Sequence, residues 1–502
     1  MDTDVATPPE LNEEELNTLG TKLYNEWLRY VTDRKMIEER WLRNLRQVRK
    51  IYDPEVLKLI PSDRSKAYPG LTQWIVRGTI ARLMQMLFPQ TEKNYGIKAS
   101  PLPDLSTDQL QQVLDQLVQV KMQAQQITDP AQVQLTDDEI EKAVDEFAEG
   151  KAEKMELKVD DDLQEMEFVT LARKIVRSAT IYNIGIAVGP KNRKVKARTW
   201  QRNPHTGQWQ AVEVDKYKPL FEHLSVWDHY PDLTAASLDK QDGTFDRHIM
   251  TRVEVEDLAR RPDFMADRVQ KFLKDNISGN YIWQWWESII KGEEKSGLAP
   301  VARKEARKFE ALSYWGAVSG HECRAAGIEI SDADVGKSFH VNAWMLKDVV
   351  VKMKLSPLGE TVKHHHYFVF EDDDLSILGN GQCDVVRDSQ VAVNETARAT
   401  LDNMSVIGPM VEVNMDLLTP GQSTVVSKHK TWYREGEGNM AQVPAVRNIT
   451  IESHLTELQA LLQMWMDFAR QESGLPPPSV GDVSQGGSEA LRTQGNASMF
   501  LG

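Results

Sequence analysis

The chain has 502 residues, of which 41% are hydrophobic and 27% charged. That is long enough for two or more domains with buried cores and argues against a disordered or fibrous protein. A formal charge of −15 argues against a protein that wraps nucleic acid by neutralising phosphates, because such binding depends on Lys and Arg releasing counterions. It leaves room for a surface past which DNA slides without sticking. Cys323 and Cys383 are the only cysteines and form no CxxC, which speaks against a disulfide framework or a thiolate zinc site and fits a reducing cytoplasm. No run of about eighteen apolar residues occurs, and MDTDVATPPELNEEEL lacks a basic and an apolar leader region. Neither a secretory leader nor a membrane span is expected.

The first ninety residues read as helix. Leu23, Trp27 and Tyr30, then Trp41, Leu45, Val48 and Tyr52, recur at three- and four-residue steps. Arg40, Arg43, Arg46, Arg49 and Lys50 lie between them and read as a solvated face. After SKAYPG, TQWIVRGTIARLMQMLFP is a further helix stopped by Pro89. Residues 104–165 change character, with ten glutamines between Gln109 and Gln134. An acidic helix follows, opened by Thr136 and Glu139 as a capping box. The segment reads as a helical hairpin inserted into a larger body, with a disordered linker as the alternative.

LARKIVRSATIYNIGIAVGP is a helix running into a strand; KVKARTW, GQWQAVEV and PLFEHLSVWDHYPD continue as strands, with a hairpin turn at NPHTGQ. Helices return at VEVEDLARRPDFMADRVQKFLKDN, and strands at FEALSYWGAVSG, KSFHVNAWMLKDVVVKMK and KHHHYFVFE. Helices and antiparallel strands in runs predict a helix-rich α+β fold rather than a doubly wound parallel sheet. Further strands are expected at MVEVNM, STVVSK and KTWYRE. They precede a strong helix, ESHLTELQALLQMWMDFARQESG, ended by Gly474 and Pro476 to Pro478. The last seventeen residues begin another helix.

Catalytic constellations are not evident. DADVGKS carries the GKS of a phosphate loop, but Ser331 stands where the first glycine belongs, and Asp332 and Asp334 would repel phosphates. His364 and His366 share one face of a strand and precede the acidic run 371–374, a metal-site pattern whose plainer reading is a half-exposed strand followed by an acidic turn. There is no GxSxG or HExxH. The thirteen tryptophans are scattered as core or subunit-interface residues would be. The expectation is a non-enzyme without cofactor or metal.

The segment 384–407 is the most informative. Val386, Gln390, Val393, Ala397, Leu401 and Met404 form a stripe, small residues keep other faces thin, and Arg387, Asp388, Glu395, Arg398 and Asp402 supply both charge signs. Such a helix suits neighbours on both flanks, as in a ring of identical helices.

At this point the sequence resembles the portal, or head-to-tail connector, proteins of tailed bacteriophages, of the short-tailed kind. The resemblance is carried by SKAYPGLTQWIVRGTIARLMQMLFP, ATIYNIGIAVGP, WDHYPD, HHHYFVFEDDDLSILGNGQ with DVVRDSQVAVNETARATLDNM, and FARQESGLPPPSVGDVSQGGSEALRTQGNASM. It implies a wing over residues 1–383 with 104–165 as a helical insertion, a first stem helix over 384–407, a clip over 408–485, and the start of a second stem helix over 486–502. The family's tunnel loop and crown are not among these residues: either the C-terminal part is missing from this sequence or this branch is short, and an end inside an apparent helix favours the former. It further implies a homo-oligomeric ring of about twelve subunits in the virion, at one capsid vertex, assembled in the host cytoplasm. The ring would be the channel for packaging and ejecting double-stranded DNA, which passes without tight binding. Its partners would be the terminase packaging motor, which holds the ATPase, and the tail adaptor and capsid proteins, with no membrane.

Within that frame Asp388, Glu395 and Asp402, seven residues apart, occupy one side of the stem helix. They either face the lumen or pair with Arg387 and Arg398 of neighbouring subunits. Leu458, Leu462, Trp465 and Phe468 are expected to pack the clip helix against strands around Val411 to Tyr433. A different class of protein, a metal-dependent hydrolase or nuclease, would use His364, His366 and the acidic run.

Overall fold

The structure is a computed structural model that describes residues 12–89, 93, 95–100, 105–125, 135–202, 209–235, 237, 238, 240–294, 308–356, 364–373, 377–422, 431–433, 444 and 446–475. Its helices are α1 (Glu13–Asp33), α2 (Lys35–Arg49), α3 (Pro54–Leu59), α4 (Leu71–Leu87), α5 (Thr107–Gln125), α6 (Asp137–Glu165), α7 (Phe168–Tyr182), α8 (Arg252–Ala259), α9 (Ala266–Asp275), α10 (Trp285–Glu294), α11 (Gly320–Ala325), α12 (Gln382–Val385), α13 (Arg387–Val406) and α14 (Leu455–Ser473). Its strands are β1 (Ile184–Arg202), β2 (Trp209–Leu224), β3 (His229–Pro231), β4 (Gly243–Thr251), β5 (Lys308–Ser319), β6 (Ser338–Leu346), β7 (Val349–Leu355), β8 (His365–Val369), β9 (Gly408–Val413) and β10 (Val446–Ile451). The fold is mixed, and among the described residues every strand pair is antiparallel, in keeping with the α+β expectation.

The centre is a five-stranded meander in the order β3-β4-β5-β6-β7. Because side chains alternate along a strand, β5 sends Leu312, Tyr314 and Val318 to one face and Phe309 and Ala311 to the other. Helix α1 covers the first face with Leu16, Leu19, Leu23, Trp27 and Tyr30, the periodic positions of its sequence. Its start is capped by Asn12, whose Oδ1 accepts from the Glu15 backbone N–H, and three glutamates in the first turn favour the positive end of the helix. Close approach requires Gly20: a Cβ there would lie 2.0 Å from the Asp348 carbonyl oxygen. Helices α8 and α9 cover the second face through Val255, Leu258, Val269 and Phe272.

A second, three-stranded sheet has the order β2-β1-β8. Its entry is the turn between α7 and β1, where Asn183 adopts φ 74°, a left-handed conformation that asparagine tolerates better than most residues. Asn183 then accepts backbone N–H groups from Phe370 at its carbonyl and Glu371 at its Oδ1, both at 2.8 Å. That fastens the end of β8 beside the start of β1. β1 and β2 pair from Ile186↔Leu224 out to Arg202↔Trp209; the expected turn at NPHTGQ lies outside the described residues. Trp41 of α2, Tyr182, Trp227 and Trp286 pack edge to face or tilted above this sheet, with centroids 4.6 to 5.9 Å apart. These tryptophans are core, whereas Trp200 and Trp209 on the β1–β2 ribbon are exposed.

Two buried charge systems join the layers. Arg34 pairs with Glu38 at 2.6 Å and donates to the carbonyls of Val226 and Trp227. Arg247 on β4 is held by Glu287 and Glu310. The basic run of α2 is not the uniform solvated face expected of it. Arg40 donates to the carbonyls of Leu378 and Gly379 at 2.8 and 2.9 Å, and Arg46 is buried against Asp53 at 2.9 Å.

Helices α5 and α6 pack on each other, with Lys121 paired to Glu139 at 2.6 Å, and residues 126–134 between them lie outside the described residues. Glu139 Oε2 accepts the Thr136 backbone N–H at 3.0 Å, the reciprocal half of the capping box. Among the described residues no helix is long and apolar enough to cross a membrane.

Candidate functional site

The segment from Gly379 leads into α12 and then α13. Its start is tied down by a polar knot. Asn44 Nδ2 donates to the Ile181 carbonyl at 3.1 Å and to Asp384 Oδ2 at 2.9 Å. Arg387 donates to Asn44 Oδ1 at 2.9 Å and Asp384 Oδ1 at 2.7 Å. Gln390, the polar member of the apolar stripe, is buried and spends both ends of its amide. Its Oε1 accepts from the Thr72 N–H at 2.8 Å and hydroxyl at 2.9 Å, while its Nε2 donates to the Pro69 carbonyl at 2.9 Å and Asn394 Oδ1 at 2.8 Å. Thr72 lies in the first turn of α4, whose N–H groups have no partner within that helix. Gln390 therefore caps α4 from outside. A glutamine inside an otherwise apolar stripe was the signal for this role.

Of the candidate channel residues, Asp388 and Glu395 face solvent on one side of α13. Asp402 does not share their environment: its Oδ1 accepts the Ser65 N–H at 2.9 Å, and its Oδ2 lies 3.6 Å from Arg64. Arg398 sits over the Tyr52 ring at 5.3 Å and 3.9 Å from Glu395. Arg387 and Arg398 thus both have partners within the chain. The stripe itself is divided. Val386, Gln390 and Val393 are buried, whereas Leu401 and Met404 are exposed.

Helix α14 departs from expectation. Instead of packing on strands around Val411 to Tyr433, it runs antiparallel along α13. Ser389 Oγ donates to Glu472 Oε2 at 2.8 Å near one end, and the His454 N–H donates to Asn403 Oδ1 at 3.3 Å near the other. The shared core is Leu71, Ile75, Val386, Val393, Ala469 and Leu475, with Leu462 and Trp465 half-buried against it. Leu458 is half-buried, and Phe468 is exposed with its ring 5.6 Å from that of Trp465. Ala469 is fully buried in that core beside Leu462 and Trp465, and the helical period of this side suits a neighbouring helix as well as a strand. Between the two helices, β9 and β10 form a two-stranded unit with Val446↔Val413 and Ile451↔Gly408 as its ends. STVVSK and residues 486–502 lie outside the described residues.

The histidine run is also rearranged. His364 stacks on Trp315 with centroids 3.9 Å apart, and burial pushes its pKa down to about 3. The imidazole N–H of His366 donates to the Gly189 carbonyl at 3.1 Å. Asp374 of the acidic run lies outside the described residues, and among the described residues His364 and His366 form no metal-ligating group with the rest of that run, which the alternative hydrolase reading would need. Strand alternation instead turns the middle residue, His365, to the opposite face. There His365 Nε2 lies 2.7 Å from Asp246 Oδ2, and Asp246 Oδ1 lies 2.8 Å from His229 Nδ1. His229 Nε2 lies 3.1 Å from the Tyr367 hydroxyl. All three residues of this His–Asp–His cluster are at most 6% exposed. Burial alone would push the Asp246 pKa up, but the charge and hydrogen bonds of His365 and His229 overcome it and hold the carboxyl well below the usual range. His229 and Asp246 are paired positions of β3 and β4, a juxtaposition that follows from hairpin register and not from any local motif.

The GKS segment is structural as well: Lys337 pairs with Asp334 of its own loop at 2.6 Å. No protein-family model matches the sequence, and no curated protein matches it.

Proposed function

We propose that the chain is the subunit of a portal, a closed ring at a capsid vertex through which double-stranded DNA is packaged and ejected. The observation that carries this reading is the α13–β9–β10–α14 unit, two antiparallel helices joined through a two-stranded β unit. One side of the helix pair packs on α4. Leu401 and Met404, which continue the buried stripe of α13 past that contact, are exposed, as are Leu461, Met464 and Phe468 of α14, while Asp388 and Glu395 lie on the opposite side of α13. Apolar groups gathered on a helix pair call for a partner surface, and identical copies related by rotation supply one on each flank. In this reading α13 and α14 are the two stem helices, so the second stem lies at Leu455–Ser473 and not after residue 486. The β9–β10 unit between them is the clip, where the packaging motor and the tail adaptor dock.

Composition supports the same reading. An acidic chain repeated around a ring gives a lining that repels phosphates, so the duplex moves without sticking. Electron microscopy and native mass measurement on the purified protein test the proposal. Rings of about twelve 57.1 kDa chains with an open centre are expected. A protein that stays monomeric at micromolar concentration overturns it.

A further inference from the structure

We propose that His229, Asp246 and His365 bind a divalent transition-metal ion, zinc by ligand chemistry, and that this ion pins the two main sheets together. The donors come from three strands: His229 from β3 and Asp246 from β4, both in the five-stranded sheet, and His365 from β8, in the three-stranded one. Their ligand atoms all lie within 4.8 Å of one another, and among the described residues no other His, Cys, Asp or Glu group is so arranged.

The electrostatics of the position call for a cation. A buried carboxylate must be paired or must coordinate a metal, because an uncompensated charge taken out of water is strongly destabilised. The ion-pair partners of Asp246 are the two imidazoles. Arg247 follows it on β4, but alternation turns that guanidinium to the other face, where Glu287 and Glu310 take it. The charge of Asp246 is therefore balanced either by a proton on an imidazole or by an ion held between the three side chains.

The surroundings have the form of a metal site's outer shell. A ligating histidine donates its second ring N–H to an oxygen, which fixes the tautomer that leaves the first nitrogen free to bind. The Tyr367 hydroxyl occupies that place for His229 Nε2 at 3.1 Å. Trp315 stands edge-on to His365, with centroids 6.3 Å apart, and His364 stacks on the same indole, closing the cluster with rings. Two imidazole nitrogens and one carboxylate oxygen suit zinc, with cobalt or nickel as substitutes; calcium and magnesium prefer all-oxygen cages. Bonds of about 2.0 to 2.2 Å would spread the donors from hydrogen-bond distance by about half an ångström and leave a fourth position for water. Ligands from two sheets make metal affinity part of folding stability.

The test uses the full chain, purified, stripped with a chelator, reloaded with zinc or cobalt and desalted. Elemental analysis should find one zinc per chain. The cobalt form should show the visible absorption of a tetrahedral site, and zinc should raise the melting temperature. His365→Gln and Asp246→Asn should each lose the bound ion and the zinc-dependent rise in melting. His364→Gln, next in sequence but outside the ligand set, should keep both. Wild-type protein that retains less than about one-tenth equivalent after reloading overturns the site. So does zinc retained equally by His365→Gln and Asp246→Asn, which would place the ion elsewhere. If Asp246→Asn fails to fold, His365→Gln and the wild-type titration decide alone.

Discussion

Asp402 Oδ1 accepts the backbone N–H of Ser65 at 2.9 Å, tying the C-terminal half of α13 to the loop before α4. A carboxylate that looked interchangeable with Asp388 and Glu395 along one side of a helix is thus a fastening within the chain. Asp402→Ala should leave that N–H without its acceptor and cost about 1 to 3 kcal/mol. The solvent-facing Asp388→Ala and Glu395→Ala should stay within about 0.5 kcal/mol of the parent. Urea unfolding of the three variants checks this, and equal losses at all three positions would refute the distinction. Channel charge is accordingly best probed with Asp388→Lys and Glu395→Lys together, sparing Asp402. Under the proposed portal function, DNA packaging by that pair should become slower and salt-sensitive, since added cations attract phosphates and the attraction is screened.

Gln390 supports α4 through a buried amide. Gln390→Leu keeps the approximate volume but strips the Thr72 N–H and the Pro69 carbonyl of their side-chain partner. A loss of about 2 to 5 kcal/mol is expected from two buried groups left unpaired, read as an earlier denaturant midpoint with an unchanged slope. A near-neutral result would mean that water replaces the amide.

The exposed apolar residues of the α13–α14 pair separate assembly from folding. Met404→Ser with Phe468→Ser should move subunit stability by no more than about 0.5 kcal/mol per site while abolishing rings in mass photometry. Ala469→Leu should do the opposite first, overpacking the core shared with Val386 and Val393 at a cost of about 1 to 3 kcal/mol. Trp465→Ala should fall short of the about 3 to 5 kcal/mol typical of a fully buried tryptophan, because this ring is only half-buried.

Both thiols are shielded. Burial pushes the Cys383 thiol well up and Cys323 to about 11. At pH 8 a maleimide should therefore label the native protein far more slowly than the unfolded one, since only the thiolate reacts and the folded state disfavours it. The sign for stability follows. A raised folded pKa favours the native state below the unfolded thiol value of about 8.5, and that contribution is lost as pH rises from there through the folded pKa. Cys323→Ala with Cys383→Ala should remove the labelling and lessen the loss of stability at alkaline pH. Fast stoichiometric labelling of native protein would show that the thiols are open to solvent.

What the sequence determined by itself is local. The steps from Leu23 to Tyr30 and from Trp41 to Val48 specified helices and their buried faces. Thr136 with Glu139 marked a helix start, and alternation marked β5, β6 and β7. In each case the cause acts over a few residues: a helical or strand period, a cap, a proline or glycine stop. The tertiary structure alone decided which surfaces meet. The apolar side of α14 states that it needs a partner, but its period is the same whether that partner is a strand of its own segment or α13. In the folded chain that side, with Ala469 fully buried, meets α13 and α4. Likewise, three consecutive histidines do not say which one turns inward. His365 does so because β8 pairs with β1 at Ile186↔Tyr367 and Ala187↔His366, which carries it to Asp246, 119 residues earlier in the chain. Sheet register and long-range closure are set by the whole core at once, and no short stretch of sequence encodes them.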